Sequence, residues 1–141
     1  MNFVFGQGEF IAKYVGDALG LVFSGPYVAI GFVDEAGTLR GGAVFNNYNK
    51  SNIDLTIYCP GVTTRGLIRV VMHYVFVQLK CNRMTGRTRL DNKNTQKLLP
   101  RLGFKYEATQ KQYYGPDKND AAVMYMIDRE TAVKRWLNGL S

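Results

Sequence analysis

Apolar residues at Phe10, Ile11, Tyr14, Val15, Ala18 and Leu19 recur three and four positions apart. That spacing predicts an amphipathic helix from Glu9 to Leu19, closed by Gly20. Tyr27 to Val33 is apolar and partly β-branched, the pattern of a buried strand. Asp34-Glu35-Ala36-Gly37 carries turn chemistry, and Leu39 to Tyr48 returns as the hairpin partner. After the polar turn Asn49 to Asn52, the stretch Ile53 to Tyr58 alternates as the third strand of a meander. Pro60-Gly61 breaks it. From Arg65 to Lys80 the period becomes helical, with Leu67, Val70, Val71, Tyr74, Val75, Gln78 and Leu79 on a broad face. Cys81-Asn82 closes this helix, and Arg83 to Leu90 alternates as a strand. Asn94 to Leu102 is a helix stopped by Gly103. Phe104 to Tyr114 and Ala121 to Ile127 read as a strand pair around Gly115-Pro116-Asp117, and Thr131 to Leu140 as a last helix carrying Trp136.

The strand–helix–strand run from Ile53 to Leu90 demands a crossover, which places its two strands parallel. With the antiparallel meander before it, this predicts an α/β domain with a mixed sheet and helices on its faces. A chain of 141 residues suits one domain, 1–141. No apolar run approaches the roughly 20 residues of a membrane span. Met1 to Phe5 lacks the basic start and long apolar centre of a secretory signal. Cys59 and Cys81 have no metal-type spacing and form no disulfide framework, so a reducing cytoplasm is the expected setting.

Charge is unevenly placed. Residues 1–60 carry three basic and five acidic side chains, a balance of −2, while the remaining 81 carry fifteen and six, a balance of +9. Much of the excess lies between Lys80 and Lys105, which predicts an anionic partner: nucleic acid, an acidic protein face or a phosphorylated cofactor. Aromatic residues are not interleaved with this basic run as in a stacking platform, which makes nucleic acid the weakest of the three.

Two stretches carry candidate chemistry. Cys59 to Ile68 joins a strand to a long helix, where the first helical N–H groups lack internal partners and the dipole favours an anion. Gly66 opens room for a phosphate and Arg65 supplies a positive charge. The second stretch, Asp91 to Phe104, begins a helix with capping side chains and ends it with Gly103-Phe104 entering a strand.

In this order the two stretches resemble the GNAT superfamily of acyl-CoA-dependent N-acyltransferases. Asp91, Asn92, Thr95 and Leu102-Gly103-Phe104 fall on the family pattern Glu-Asn-x-x-Ser, leucine-rich helix, Leu-Gly-Phe. The helix ending Val75-Phe76-Val77-Gln78-Leu79, followed by Arg83, looks like the branch that modifies protein N-termini, and Gly41-Gly42-Ala43-Val44 resembles the strand before the cofactor strand. The short N-terminus is similar to the compact members carried by bacteriophages.

The resemblance implies a mostly antiparallel sheet with one parallel pair splayed apart, helices on both faces, and acetyl-CoA in the gap. Ile57, Tyr58 and Cys59 would offer backbone groups to the pantetheine, and the turn Thr63, Thr64, Arg65, Gly66, Leu67, Ile68 would wrap the pyrophosphate. Asn92 would bond from the far wall, with Lys93, Lys97 or Arg69 reaching the 3′-phosphate. The chain departs from the family at three places: Thr63 opens the turn, bulky Ile68 closes it, and Leu99 stands where many members have a tyrosine acid.

The implied reaction is acetyl transfer to a primary amine by direct attack in a ternary complex. Asp54 is the first candidate base and Glu107 the second; Tyr113 or Tyr114 would line the acceptor pocket or donate a proton. His73 reads as a surface or structural residue and Cys59 as an inert thiol. Nothing suggests a metal site or a nucleophilic triad. The alternative is a GNAT-fold protein of weak or no activity that grips a partner. Exposed edge strands would favour a homodimer.

Overall fold

The computed structural model describes residues 2–60 and 64–138. Its strands are β1 (Asn2–Val4), β2 (Tyr27–Val33), β3 (Leu39–Asn46), β4 (Asn52–Tyr58), β5 (Arg83–Arg89), β6 (Lys105–Gln110) and β7 (Ala122–Asp128). Its helices are α1 (Gly8–Leu19), α2 (Thr64–His73), α3 (Lys93–Arg101) and α4 (Arg129–Trp136). The strands form one sheet in the order β1-β2-β3-β4-β5-β7-β6. Every neighbouring pair is antiparallel except β4 and β5, the two strands joined through α2.

Period-two alternation gives each face its own chemistry. Along β4, Ile53, Leu55 and Ile57 are buried beneath α2, where Leu67, Ile68, Val71 and Met72 pack. Leu99 of α3, Leu102 just after that helix and Ala132 of α4 complete that core. On the opposite face α1 lays Ile11, Ala12 and Val15 against Ala29 and Val44. The close approach depends on Gly42, where an added Cβ would lie 2.8 Å from Val15 Cγ2 and 3.0 Å from Ile11 Cγ2. Helices thus cover both faces of a mostly antiparallel sheet.

Several boundaries differ from the sequence expectations. Strand β1 is too short to show a period, yet Phe3 packs on Phe32 with ring centroids 5.8 Å apart. The helix expected through Lys80 instead widens into a π-helical turn over Tyr74–Gln78, with Leu79 N–H donating to Tyr74 O at 2.9 Å. Arg129 stabilises the widened end by donating from its guanidinium to Phe76 O and Cys81 O. The strand expected to reach Tyr114 stops at Gln110, because Ala122 is the last residue of β7 available to pair with it. The final helix starts earlier than expected, at Arg129, since Asp128 Oδ1 accepts from Thr131 N–H at 2.8 Å as its N-cap. It ends at Trp136; the expected last residues, 139–140, lie outside the described part.

Candidate active site

The parallel ladder between β4 and β5 is short. It runs from Asn52↔Arg83 to Leu55↔Gly86 and stops, although β4 continues to Tyr58 and β5 to Arg89. β5 keeps its full pairing with β7 and β4 stays paired with β3, so the two strands part beyond that point. The β5-facing backbone groups of β4 after Leu55 therefore lie outside the ladder, where a ligand could bond them.

Two cavities meet this opening. The larger, about 810 Å³, is lined by Ile57, Tyr58, Cys59 and Pro60 from β4 and its exit, by Ala18 and Leu19 of α1, and by one side of α3. That side presents Asn94, Lys97, Leu98 and Arg101 with Asp91, Asn92 and Thr95 at the helix start. The helix start is fixed locally. Asn92 Oδ1 accepts from Thr95 N–H at 3.2 Å while its Nδ2 donates to Thr95 Oγ1 at 2.8 Å. Gln96 Nε2 donates to the carbonyls of Arg89, Leu90 and Asn92, tying α3 to the end of β5.

The smaller cavity, about 290 Å³, opens on the α1 face between the segment Leu21–Ser24 and the strands. Thr56 and Arg87, the residues immediately after the last ladder pair, form its floor with Asn46 and Asn47, and Tyr113 and Tyr114 wall it. Beneath lies Asp54, 5% exposed. Its Oδ2 accepts from Asn47 Nδ2 at 2.9 Å and Arg87 Nη2 at 3.2 Å, and its Oδ1 from Asn52 Nδ2 at 3.3 Å. Arg87 Nη1 donates to Gln110 Oε1 at 2.7 Å, and the guanidinium lies 4.6 Å from the centre of the Tyr113 ring. Burial pushes the Tyr114 phenol up to about 12 from its ordinary 10.0, so it stays protonated at neutral pH.

The remaining expected residues are spread out. Glu107 sits on edge strand β6 in a two-pronged contact with Arg83, at 2.6 and 2.9 Å, which holds its carboxyl below the usual range. Of the turn expected to wrap a pyrophosphate, Leu67 and Ile68 point into the core and can offer only backbone. Gly66 stands in the first turn of α2, and Arg65 is exposed with its guanidinium 5.9 Å from the centre of the Trp136 ring. Thr63 lies outside the described residues, and Thr64 opens α2. Arg69 and Lys93 are exposed and line neither cavity; His73 lies in the last turn of α2, also outside both. Sequence reasoning missed Asn94, Leu98 and Arg101. Their spacing with Lys97 is the three-and-four period of one helix face, and that signal was present in the sequence.

Among the described residues, no cluster of three His, Cys, Asp or Glu side chains is placed to hold a metal, and no helix is long and apolar enough to cross a membrane.

The mixed sheet, opened at its one parallel pair with a polar cleft in the opening, is an α/β architecture shared with known structures. It is the GNAT fold. The spermidine/spermine N-acetyltransferase SpeG from Vibrio cholerae, in mutant forms, superposes with a TM-score of 0.72 over 95% of this chain and 99% of its own, at 12% identity. A GCN5-related N-acetyltransferase from Brucella melitensis matches with a TM-score of 0.64 at 18% identity, over 74% of this chain. The chain spans about half of that protein, 52%. The ribosomal-protein-S5-alanine acetyltransferase from Vibrio fischeri gives 0.63 at 17% identity, over 74% of this chain and 62% of its own. No protein-family model matches the chain, and no curated protein matches it by sequence. At these identities the likeness is one of fold.

Proposed function

We propose that this protein is an acetyl-CoA-dependent N-acetyltransferase that works by direct transfer in a ternary complex. The observation that carries the proposal is the opening of β4 from β5 after Leu55↔Gly86, with a larger cavity and a smaller pocket both lined by residues at that opening. Two substrates, one in each cavity, would meet there.

The cleft fits a coenzyme: its lining mixes apolar Ile57 and Leu98 with amide side chains, and Lys97 and Arg101 add positive charge for phosphates. Tyr58 offers backbone beyond the end of the parallel ladder on one wall, with Cys59 beside it, and Asn92 faces them from the other. Arg65, Gly66 and the start of α2 take the pyrophosphate in this reading, with Arg69 and Lys93 at the distal phosphate. Acetyl-CoA supplies an activated thioester; the new C–N bond replaces the C–S bond, the amine gives up a proton and the thiol regains one. A β4 backbone N–H beyond Leu55 steadies the carbonyl oxygen. Asp54 receives the amine proton through water, because Asn47 and Arg87 already hold its Oδ2. Tyr113 braces Arg87, and Glu107 braces Arg83.

A second reading, binding of a partner without turnover, is favoured by one observation. Leu99, in the place of the family's tyrosine acid, is 1% exposed and packed in the core. Calorimetric titration with acetyl-CoA, compared with dephospho-coenzyme A, tests the first reading. Micromolar binding that weakens without the 3′-phosphate supports it, and no binding at millimolar ligand refutes it. Coenzyme binding without turnover across an amine panel selects the second reading.

A further inference from the structure

We propose that the acceptor is a small amine that carries a carboxylate, held by Arg87 in the pocket on the α1 face. This deepens the acetyltransferase reading and rests on it. Arg87 is the one charged side chain among the described residues lining that pocket. The balancing carboxylate, Asp54, lies behind it with both oxygens occupied. An incoming molecule therefore meets a guanidinium and neutral side chains.

The guanidinium is held ready and incompletely satisfied. Nη1 is bonded to Gln110 and Nη2 to Asp54, and the Tyr113 ring lies against its face. Nε is buried and has no hydrogen-bond partner. A buried donor on a charged group is costly to leave unpaired, and a carboxylate matches a guanidinium edge with two oxygens. Nε is covered, so a ligand reaches it only when a neighbouring group moves aside.

Position and size agree. Thr56 and Arg87 are the first residues past the end of the parallel ladder, so a carboxylate on Arg87 leaves the amine facing the opening beside Thr56. About 290 Å³ lies at the lower end of small-molecule sites, which suits a ligand of amino-acid size. A polyamine would bring a second ammonium against the guanidinium with no carboxylate among the described lining residues to receive it.

The test compares matched probes on the wild-type protein with coenzyme A present: 4-aminobutyrate against butylamine, alanine against ethylamine, and putrescine as the polycation. Calorimetric binding, acetyl-CoA turnover and the NMR resonance of the Arg87 Nε–H are followed together. The expected result is at least tenfold tighter binding and higher kcat/KM for a carboxylated probe than for its partner, with an Nε–H shift on binding. Arg87→Lys keeps the charge beside Asp54 and loses the fork, so KM for the carboxylated probe rises about tenfold while kcat changes less. Equal use of the matched probes overturns the inference, as does putrescine as the best acceptor. So does failure of both carboxylated probes to bind protein that binds the coenzyme. If the coenzyme itself does not bind, the acetyltransferase reading fails separately. The Nε–H shift with 4-aminobutyrate or alanine then still decides the chemistry of the pocket.

Discussion

Replacing Asp54 with asparagine is the sharpest perturbation of the site, because every hydrogen-bond partner of this carboxylate is a donor. Asn47 Nδ2 and Arg87 Nη2 point at Oδ2, and Asn52 Nδ2 points at Oδ1. Asn52 cannot turn over to help, since its Oδ1 already accepts from Arg83 Nε at 3.1 Å and Thr85 Oγ1 at 2.8 Å. Whichever way the new amide sits, its NH₂ confronts a donor. The substitution also strips the counter-charge from Arg87, in a pair whose side chains are 15% and 7% exposed. Removing one member of a buried pair costs about 3 to 5 kcal/mol. In urea that lowers the midpoint by about 2 M, taking an m-value of about 1.5 to 2 kcal/mol/M. Asp54→Leu combined with Arg87→Met removes both charges and is expected to cost less than either single change. The assay is urea denaturation followed by circular dichroism, which needs no substrate. A loss under about 0.5 kcal/mol for Asp54→Asn, the scale of an ordinary surface substitution, would refute the reasoning, and so would strict additivity in the double variant.

Asn92→Ala should lose about 1 kcal/mol of stability with the α3 cap. Asn92→Ser keeps a capping oxygen, so an unchanged coenzyme affinity in the serine variant would show that the amide makes no ligand contact. Replacing Lys97 and Arg101 together with alanine should weaken coenzyme binding about tenfold or more and flatten its salt dependence. Equal affinity at low and high salt in the parent protein would place the phosphates elsewhere. Tyr114 has its folded value raised to about 12, so its contribution to stability is complete below pH 10 and is lost as pH rises through about 12. Tyr114→Phe should remove that part of the alkaline slope and the last phenolate absorbance step; an identical slope in the variant counts against a buried phenol.

The sequence was most informative where structure is made locally. Helix α1, the β2–β3–β4 meander and the α3 stop at Gly103 each follow from a period and a breaker within a few residues. The π-helical turn was invisible because one of its supporting bonds comes from Arg129, 53 residues beyond the carbonyl it serves. The end of the parallel ladder was equally hidden, since it depends on how β4 and β5 are held by β3 and β7 along their outer edges, contacts between segments far apart in sequence. Resemblance supplied the splay and Lys97; the same helical period also places Asn94, Leu98 and Arg101 along the cleft, and that part of the signal was not used.

Asp54 shows why a site residue can be found in sequence and still be incompletely understood. Its strand position was enough to mark it as a candidate, but Arg87 lies 33 residues away and meets it only when β4 and β5 pair in this register. The pair stands where the strands part, so it fastens the sheet at the opening and also forms the base of the acceptor pocket. Changes there should lower stability and turnover together. Changes at Lys97 and Arg101, on an exposed face of α3, should lower coenzyme affinity alone. That separation is what distinguishes a charge that holds the fold from one that only meets the ligand.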